Sequence, residues 1–79
     1  MKVHMDWYDR SIVLFVLDTG LLTRPSNSAT VVEFGMDARR IAQRFDAVLR
    51  AYASNQFILD DADLELVRRA VRYRDSVSA

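Results

Sequence analysis

An apolar stripe through the middle of the chain constrains the fold more than any other feature. Apolar residues recur there at alternating spacings of three and four, at Val31, Phe34, Ala38, Ile41, Phe45, Val48 and Tyr52. This period is typical of an α-helix that buries one face against a neighbouring helix. Thr30 and Glu33 form a T-x-x-E capping box at the start of the stripe. The pattern predicts a long central helix over about 30–53, about 36 Å in length.

Gly35 leaves a second interpretation open. Glycine weakens a helix, so in this interpretation residues 30–34 are extended and the helix begins at Asp37. Residues 11–17 contain an apolar run that suits a buried strand as well as a buried helix. The alternative to an all-helical fold is therefore a β-hairpin that pairs 11–17 with 30–34.

The flanks of that apolar run favour a first helix over about 6–19. Asp6 is a good N-cap, and Gly20 stands where helices commonly end. The following stretch TRPSNSA, residues 23–29, combines proline with small polar residues and is predicted to be a loop.

The last helix is predicted over about 60–77, antiparallel to the central one across a short turn. In DDADLELVRRAVRYRD, which begins at Asp60, the acids precede the arginines, an order that the helix dipole favours. The apolar residues cover about 200° of its circumference, so this helix needs two neighbours. No internal repeat is apparent. Residues 1–79 are thus predicted to be a single all-α domain, a three-helix bundle organised by its central helix.

The residue types that most catalytic and metal sites require are scarce. The chain has no cysteine and a single histidine, His4, so a transition-metal site is not expected. Asp60, Asp61 and Asp63 resemble part of a calcium loop, but the glycine and the distal glutamate of such a loop are missing, and helix capping explains these acids better. The two glycines are too far apart for a phosphate loop. We therefore expect no enzymatic activity, no catalytic residue, no cofactor and no bound metal.

Two short stretches resemble known families. Residues 37–45, DARRIAQRF, resemble the first helix of bacterial helix-turn-helix regulators, but the chain continues DAVLRAYA where that family turns into its recognition helix. Residues 9–21, DRSIVLFVLDTGL, resemble the opening of the tyrosine-recombinase catalytic domain, yet Leu22 stands where that family has an arginine. Neither resemblance assigns a family.

The charges point to two kinds of partner. Eleven basic and eleven acidic residues cancel, which argues against binding nucleic acid through the field of the whole molecule. If the last helix folds back on the central one, however, six arginines share one end of the protein. Exposed aromatic residues and arginines are also typical of protein interfaces. The candidate partner-binding residues are Trp7, Tyr8, Arg39, Arg40, Arg44, Arg68, Arg69, Arg72 and Tyr73. Since Trp7 and Tyr8 are adjacent in a helix, at least one of them is expected to face solvent or another chain.

These observations predict a small protein-interaction module, a regulator or inhibitor that occupies the surface of another protein; small accessory proteins of bacteria and phages are often built this way. The alternative is a nucleic-acid-binding regulator that uses the arginines. A homodimer is also expected, because a first helix of about 21 Å leaves part of a central helix of about 36 Å uncovered. Its interface is predicted to contain Phe34, Ile41, Tyr52 or Tyr73. The longest apolar run is too short to span a membrane and no secretory signal is recognisable, so we expect a cytoplasmic protein with no membrane partner.

Overall fold

The computed structural model describes residues 2–78, which form four α-helices and one pair of very short strands. In chain order the elements are β1 (Val3–His4), α1 (Trp7–Thr19), α2 (Asn27–Phe34), α3 (Ala38–Ala53), β2 (Phe57–Ile58) and α4 (Asp61–Ser78). The prediction of an all-α class is confirmed. The alternative β-hairpin is wrong, because both of the segments that it would pair are helical.

The first and last helices begin and end where the sequence predicts. At the start of α1, the side chain of Asp6 accepts a hydrogen bond of 2.8 Å from the backbone N–H of Asp9. At its end, Gly20 takes a left-handed conformation with a φ of 65°, and its N–H donates to the carbonyl of Val16. Asp60 caps α4 in the same way, accepting from the N–H of Asp63 at 2.8 Å. Each cap satisfies a backbone group that the helix itself cannot pair.

The prediction of one long central helix is wrong, because Gly35 divides this segment into α2 and α3. Gly35 adopts a left-handed φ of 70°, and its N–H donates to the carbonyl of Val31 as α2 ends. Asp37 then caps a new helix, accepting from the N–H of Arg40 at 2.9 Å. The side chain of Asn27 accepts from the N–H of Ala38 at 2.9 Å and thereby ties the start of α2 to the start of α3. A glycine that stops one helix and an aspartate that starts the next therefore prevail over the continuous apolar spacing.

The expected capping box is also absent, since α2 begins before Thr30. Ser26 is the N-cap and accepts from the N–H of Ala29 at 3.4 Å, so α2 starts inside the segment predicted to be a loop. Thr30 lies within α2 and is completely buried. Its hydroxyl donates to the carbonyl of Asn27 at 3.0 Å, which allows a polar side chain to be buried there.

The hydrophobic core lies where α1 packs against α3 and α4, and the contact between α1 and α3 is the most extensive. The core residues that are almost completely inaccessible are Ile12, Val13, Val16, Ile41, Phe45, Leu49, Val67 and Ala70. The part of the apolar stripe from Ala38 to Val48 is therefore covered within the chain. The uncovered length of helix on which the expected homodimer depended does not exist, because α3 has 16 residues and α1 has 13.

A repeated strand–helix unit organises the fold, although no repeat is apparent in the sequence. Strands β1 and β2 pair in parallel, with Val3 opposite Phe57 and His4 opposite Ile58. In this register the first unit, residues 3–19, aligns with the second unit, residues 57–78. Equivalent positions share their structural roles: the N-caps Asp6 and Asp60, the buried acids Asp9 and Asp63, and the core pairs Ile12 and Leu66, Val13 and Val67, and Val16 and Ala70.

The repeat is hidden because it conserves physical character and little identity. Between residues 3–16 and 57–70 only three aligned pairs are identical, two of aspartate and one of valine. The helices of the two units run in the same direction. Arg10 near the start of α1 bonds Asp63 near the start of α4, and Gly20 after α1 lies close to Tyr73 far along α4.

Candidate protein-interaction surface

Four aromatic rings join α1 to the end of α2 and form a surface that we call the aromatic surface, composed of Trp7, Tyr8, Phe15 and Phe34. Neighbouring rings meet edge to face, with centroid distances of 5.8 Å for Trp7–Tyr8, 6.1 Å for Tyr8–Phe34 and 5.2 Å for Phe15–Phe34. This geometry places the positive edge of one ring against the negative face of the next. The rings consequently support one another.

The first turn of α1 directs its two aromatic residues differently. Adjacent residues of a helix point about 100° apart, so the ring of Tyr8 turns toward α2 and is half buried. Trp7 turns outward, and 72% of it is exposed to solvent. This agrees with the expectation that at least one of the two faces away from the core. Leaving so large an apolar side chain in water forgoes burial free energy on the order of 2 kcal/mol.

Arg44 on α3 contacts the aromatic surface through the ring of Tyr8. Its Nε donates to Oδ1 of the buried Asp9 at 2.8 Å, and its guanidinium carbon lies 5.9 Å from the centroid of the Tyr8 ring. A cation at this distance from an aromatic face is attracted by the quadrupole of the ring. Arg44 thus holds Tyr8 in place while its own side chain stays 49% exposed.

A second ion pair joins the two strand–helix units. Nε and Nη2 of Arg10 donate to the two carboxylate oxygens of Asp63, both at 2.7 Å. The hydrogen bond from Arg10 lowers the pKa of the Asp63 carboxyl, although burial opposes this shift. The same bond raises the pKa of Arg10. The role of Arg10 could not be predicted from the sequence, because its partner is 53 residues away along the chain.

Three of the six arginines expected to share one end of the protein line three different grooves. Arg44 lies between α1 and α3, beside Asp9 and Ala47. Arg39, on α3, lies beside Leu21 and Pro25, which belong to the connection between α1 and α2. Arg69 lines a groove between α1 and α4. This distribution gives no support to a single arginine patch.

The arginines also differ in their ion pairs. Arg72 lies 3.5 Å from Glu65, and Arg44 is paired with Asp9. Within residues 2–78, no carboxylate lies within 4.0 Å of the guanidinium groups of Arg39, Arg40, Arg68 and Arg69. Lys2 and Arg24 are likewise exposed and have no such ion pair, so these four arginines are among six cations of residues 2–78 that are open to an acidic partner.

Tyr73 is directed into the protein. Its hydroxyl is buried, and it lies 3.7 Å from the position that a Cβ atom on Gly20 would occupy. The residue is half buried and packs against the core. Tyr73 therefore belongs to the contact between α4 and the end of α1, apart from the aromatic surface.

Several surface apolar residues are absent from the candidate partner-binding residues of the sequence, although Phe34 was predicted as a dimer contact. Phe15 and Phe34 are partly buried and complete the aromatic surface, and Leu14, Val31 and Val32 are exposed on the same two helices. Phe34 and Val31 were assigned to the buried stripe, which continues inside the protein only from Ala38 onward. The signal that could have identified them is Gly35, because a helix break there frees the preceding turn from the core.

Comparisons with known proteins add no information about this surface. No protein-family profile, curated protein or solved structure matches the chain. In the part of the chain that the structure describes, no helix is long and apolar enough to cross a membrane. No group of three or more histidine or acidic side chains among those residues is placed to hold a metal ion.

Proposed function

We propose that this protein is a small, non-enzymatic interaction module that regulates or inhibits another protein by occupying its surface. The observation that carries the proposal is the 72% exposure of Trp7, whose ring meets the ring of Tyr8 edge to face. A tryptophan held this way offers a large apolar contact area that loses little conformational entropy on binding.

The surroundings of Trp7 support the same proposal. Tryptophan, tyrosine and arginine are the residues most enriched at the centres of protein interfaces, and here Trp7, Tyr8 and Arg44 are neighbours. The contacts of Tyr8 with Phe34 and Arg44 order this side chain before any partner arrives. Preorganisation of this kind lowers the entropic cost of association.

The test is a capture experiment with matched variants. Immobilised protein is incubated with a nuclease-treated lysate of its natural host, and the retained proteins are identified by mass spectrometry. We expect at least one protein to be retained by the wild type and by Val77→Ala, which removes an exposed apolar side chain from α4, and to be lost with Trp7→Ala. Retention that Trp7→Ala does not change contradicts the proposal.

A nucleic-acid-binding regulator is the second candidate, favoured by the four arginines without ion pairs. Phosphate binding predicts an affinity that falls steeply between about 50 and 200 mM salt, because counterions are released. A gel shift with random DNA and RNA tests this. Micromolar or tighter binding that is abolished by Arg68→Ala together with Arg69→Ala replaces the first proposal with the second.

Homodimer formation and a cytoplasmic location stay predictions. Ile41 is completely buried within one chain and is wrong as a dimer contact. The other predicted dimer contacts, Phe34, Tyr52 and Tyr73, are partly buried and stay predictions. Light scattering at about 100 µM distinguishes a 9.1 kDa monomer from a dimer.

A further inference from the structure

The connection between α2 and α3 interrupts an apolar stripe that is continuous in the sequence. Val31 and Phe34 before the connection, and Ala38 and Ile41 after it, keep the spacing of three and four residues across Gly35. Ala38 and Ile41 are buried, whereas Val31 is 53% exposed and Phe34 is only partly buried. The apolar spacing before the break therefore contributes little to the core of the folded chain.

The connection is short and few contacts hold its bend. Only residues 35–37 separate α2 from α3. Apart from its chain neighbours, no atom of residues 2–78 lies within 4 Å of the position that a Cβ atom on Gly35 would occupy. The side chains of Asn27 and Asp37 accept hydrogen bonds from two backbone N–H groups at the start of α3. In a continuous helix the same N–H groups donate to carbonyls four residues earlier, so straightening leaves neither without an acceptor.

The part of the chain before the bend holds together on its own side. Phe34 at the end of α2 meets the rings of Tyr8 and Phe15 on α1 edge to face. The aromatic surface consequently lies entirely before Gly35. If the bend straightens while these ring contacts persist, residues 2–34 move as one segment away from α3 and α4 of their own chain.

The contacts that this segment makes across the bend can form equally well between two copies of the chain. They are the pairing of β1 with β2, the packing of α1 against α3 and α4, and the ion pairs Asp9–Arg44 and Arg10–Asp63. A second copy presents the same residues in the same arrangement. Exchange of an identical segment is a low-cost route to a dimer, because the existing contacts are reused.

We propose that Gly35 is a hinge through which two copies of this chain exchange residues 2–34, while α2 and α3 join into one helix over residues 27–53. The left-handed conformation of Gly35 and the cap by Asp37 favour the closed monomer. This inference goes beyond the proposed function. The exchanged dimer carries the aromatic surface twice, which strengthens binding to a partner that has two sites.

Substitution of the hinge glycine is the first test. Gly35→Ala destabilises the bend, because alanine avoids the left-handed conformation, and it stabilises the continuous helix. Since a dimer contains two hinges, we expect the dimerisation constant to rise at least about a hundredfold. Light scattering should show the variant shift from the 9.1 kDa mass of the chain toward twice that mass.

Gly20→Ala is the matched control. Gly20 has a similar left-handed φ of 65°, and the closest atom to a Cβ there, Oγ1 of Thr23, lies at an ordinary contact distance of 3.5 Å. Pro25 follows, and a proline prevents α1 from continuing into α2. We therefore expect Gly20→Ala to lower the melting temperature and to leave the mass at 9.1 kDa.

Introduced cysteines distinguish exchange from any other dimer, because the chain has no cysteine of its own. His4 and Ile58 are exposed partners in the parallel strand pair. A His4→Cys chain and an Ile58→Cys chain are unfolded, refolded together and oxidised, with and without Gly35→Ala. We expect disulfides between positions 4 and 58 in excess of those between identical positions, at a higher yield with Gly35→Ala.

The inference is overturned if Gly35→Ala stays monomeric, if Gly20→Ala dimerises equally, or if the dimer lacks the excess of 4–58 links. Circular dichroism checks that the variants fold. If Gly35→Ala does not fold, Asp37→Ala replaces it, since loss of the cap of α3 is expected to shift the equilibrium in the same direction. Failure of these tests leaves the proposed function intact, because capture of a partner depends on Trp7.

Discussion

The two strand–helix units begin alike and then diverge. Each starts with a two-residue strand, an aspartate N-cap and a buried aspartate on the first turn of the helix. Farther along, α1 has Leu14 and Phe15 where α4 has Arg68 and Arg69. α1 packs against α3 and α4 and also meets Phe34 at the end of α2, whereas the main contacts of α4 are with α1 and α3. The number of neighbours decides how much of each helix is apolar.

The partners of the two buried acids show how the units are attached. Asp9 of the first unit accepts from Arg44 on α3, and Asp63 of the second unit accepts from Arg10 on the first. The first unit is therefore anchored to α3, and the second unit is anchored to the first. A conserved position in the repeat thus serves two different contacts.

The largest expected effect comes from the equivalent core residues Ile12 and Leu66. Ile12 is completely buried and Leu66 is 7% exposed. We expect Ile12→Ala to lower the free energy of unfolding by about 4 kcal/mol and Leu66→Ala by about 2–3 kcal/mol, because a cavity at a fully enclosed site is harder to collapse. Urea denaturation measures both. Equal losses would mean that α1 is no more central than α4.

Removal of each buried acid compares the two anchors. Asp63→Asn is expected to lower the free energy of unfolding by about 1–2 kcal/mol, because it disrupts a two-point ion pair. Asp9→Asn is expected to lower it by about 0.5–1 kcal/mol, because Arg44 makes a single bond and is 49% exposed, so solvent screens the pair. Thermal melts check this order. The control is Asp61→Asn, which changes an exposed acid on α4, the helix of Asp63. A larger loss for Asp9 would reverse the proposed hierarchy.

The second anchor is also expected to depend on pH. The pKa of Asp63 is lower in the folded protein than its ordinary value of 3.8. Its contribution to the free energy of unfolding is therefore complete above that value and is lost as the pH falls through the lower folded value. The difference in stability between the wild type and Asp63→Asn should be constant from pH 7 to about pH 5 and should shrink in more acidic solution. A difference that stays constant down to pH 2 contradicts this prediction.

The smallest expected effect tests the part that the units share. Asp6→Ala and Asp60→Ala each remove one N-cap whose hydrogen bond is 2.8 Å long. Each is expected to lower the free energy of unfolding by about 1 kcal/mol. If the two losses differ by more than about 1 kcal/mol, the two N-caps do not contribute equally to stability, although they occupy equivalent positions.

Local signals in the sequence predict the positions at which α1 and α4 begin and the place where α1 ends. Asp6, Gly20 and Asp60 act on backbone groups within four residues, so their effect does not require the rest of the fold. The segment around Gly35 carried two conflicting signals, the apolar spacing that continues a helix and the glycine that ends one. The contacts of Phe34 with Tyr8 and Phe15 hold α2 as a separate helix against α1.

The candidate surface is less predictable than the helices. Trp7 and Tyr8 were identified from their adjacency, and the structure directs them apart as a helix requires. Phe15 could not be recognised, because its exposure depends on how far α2 covers α1. The arginines could not be separated into paired and unpaired ones, because the acids that pair with Arg10 and Arg44 are 53 and 35 residues away.

By itself, the sequence determined the helical class, the caps of α1, the N-cap of α4 and the apolar face of α3, because these depend on periodicity and on hydrogen bonds between near neighbours. Only the tertiary structure decided the division at Gly35, the parallel pairing of β1 with β2, and the choice of arginine for each buried acid. These features join residues far apart in the chain, and many pairings satisfy the same local chemistry. The packing of α1 between its neighbours selects one of them and leaves Trp7 exposed.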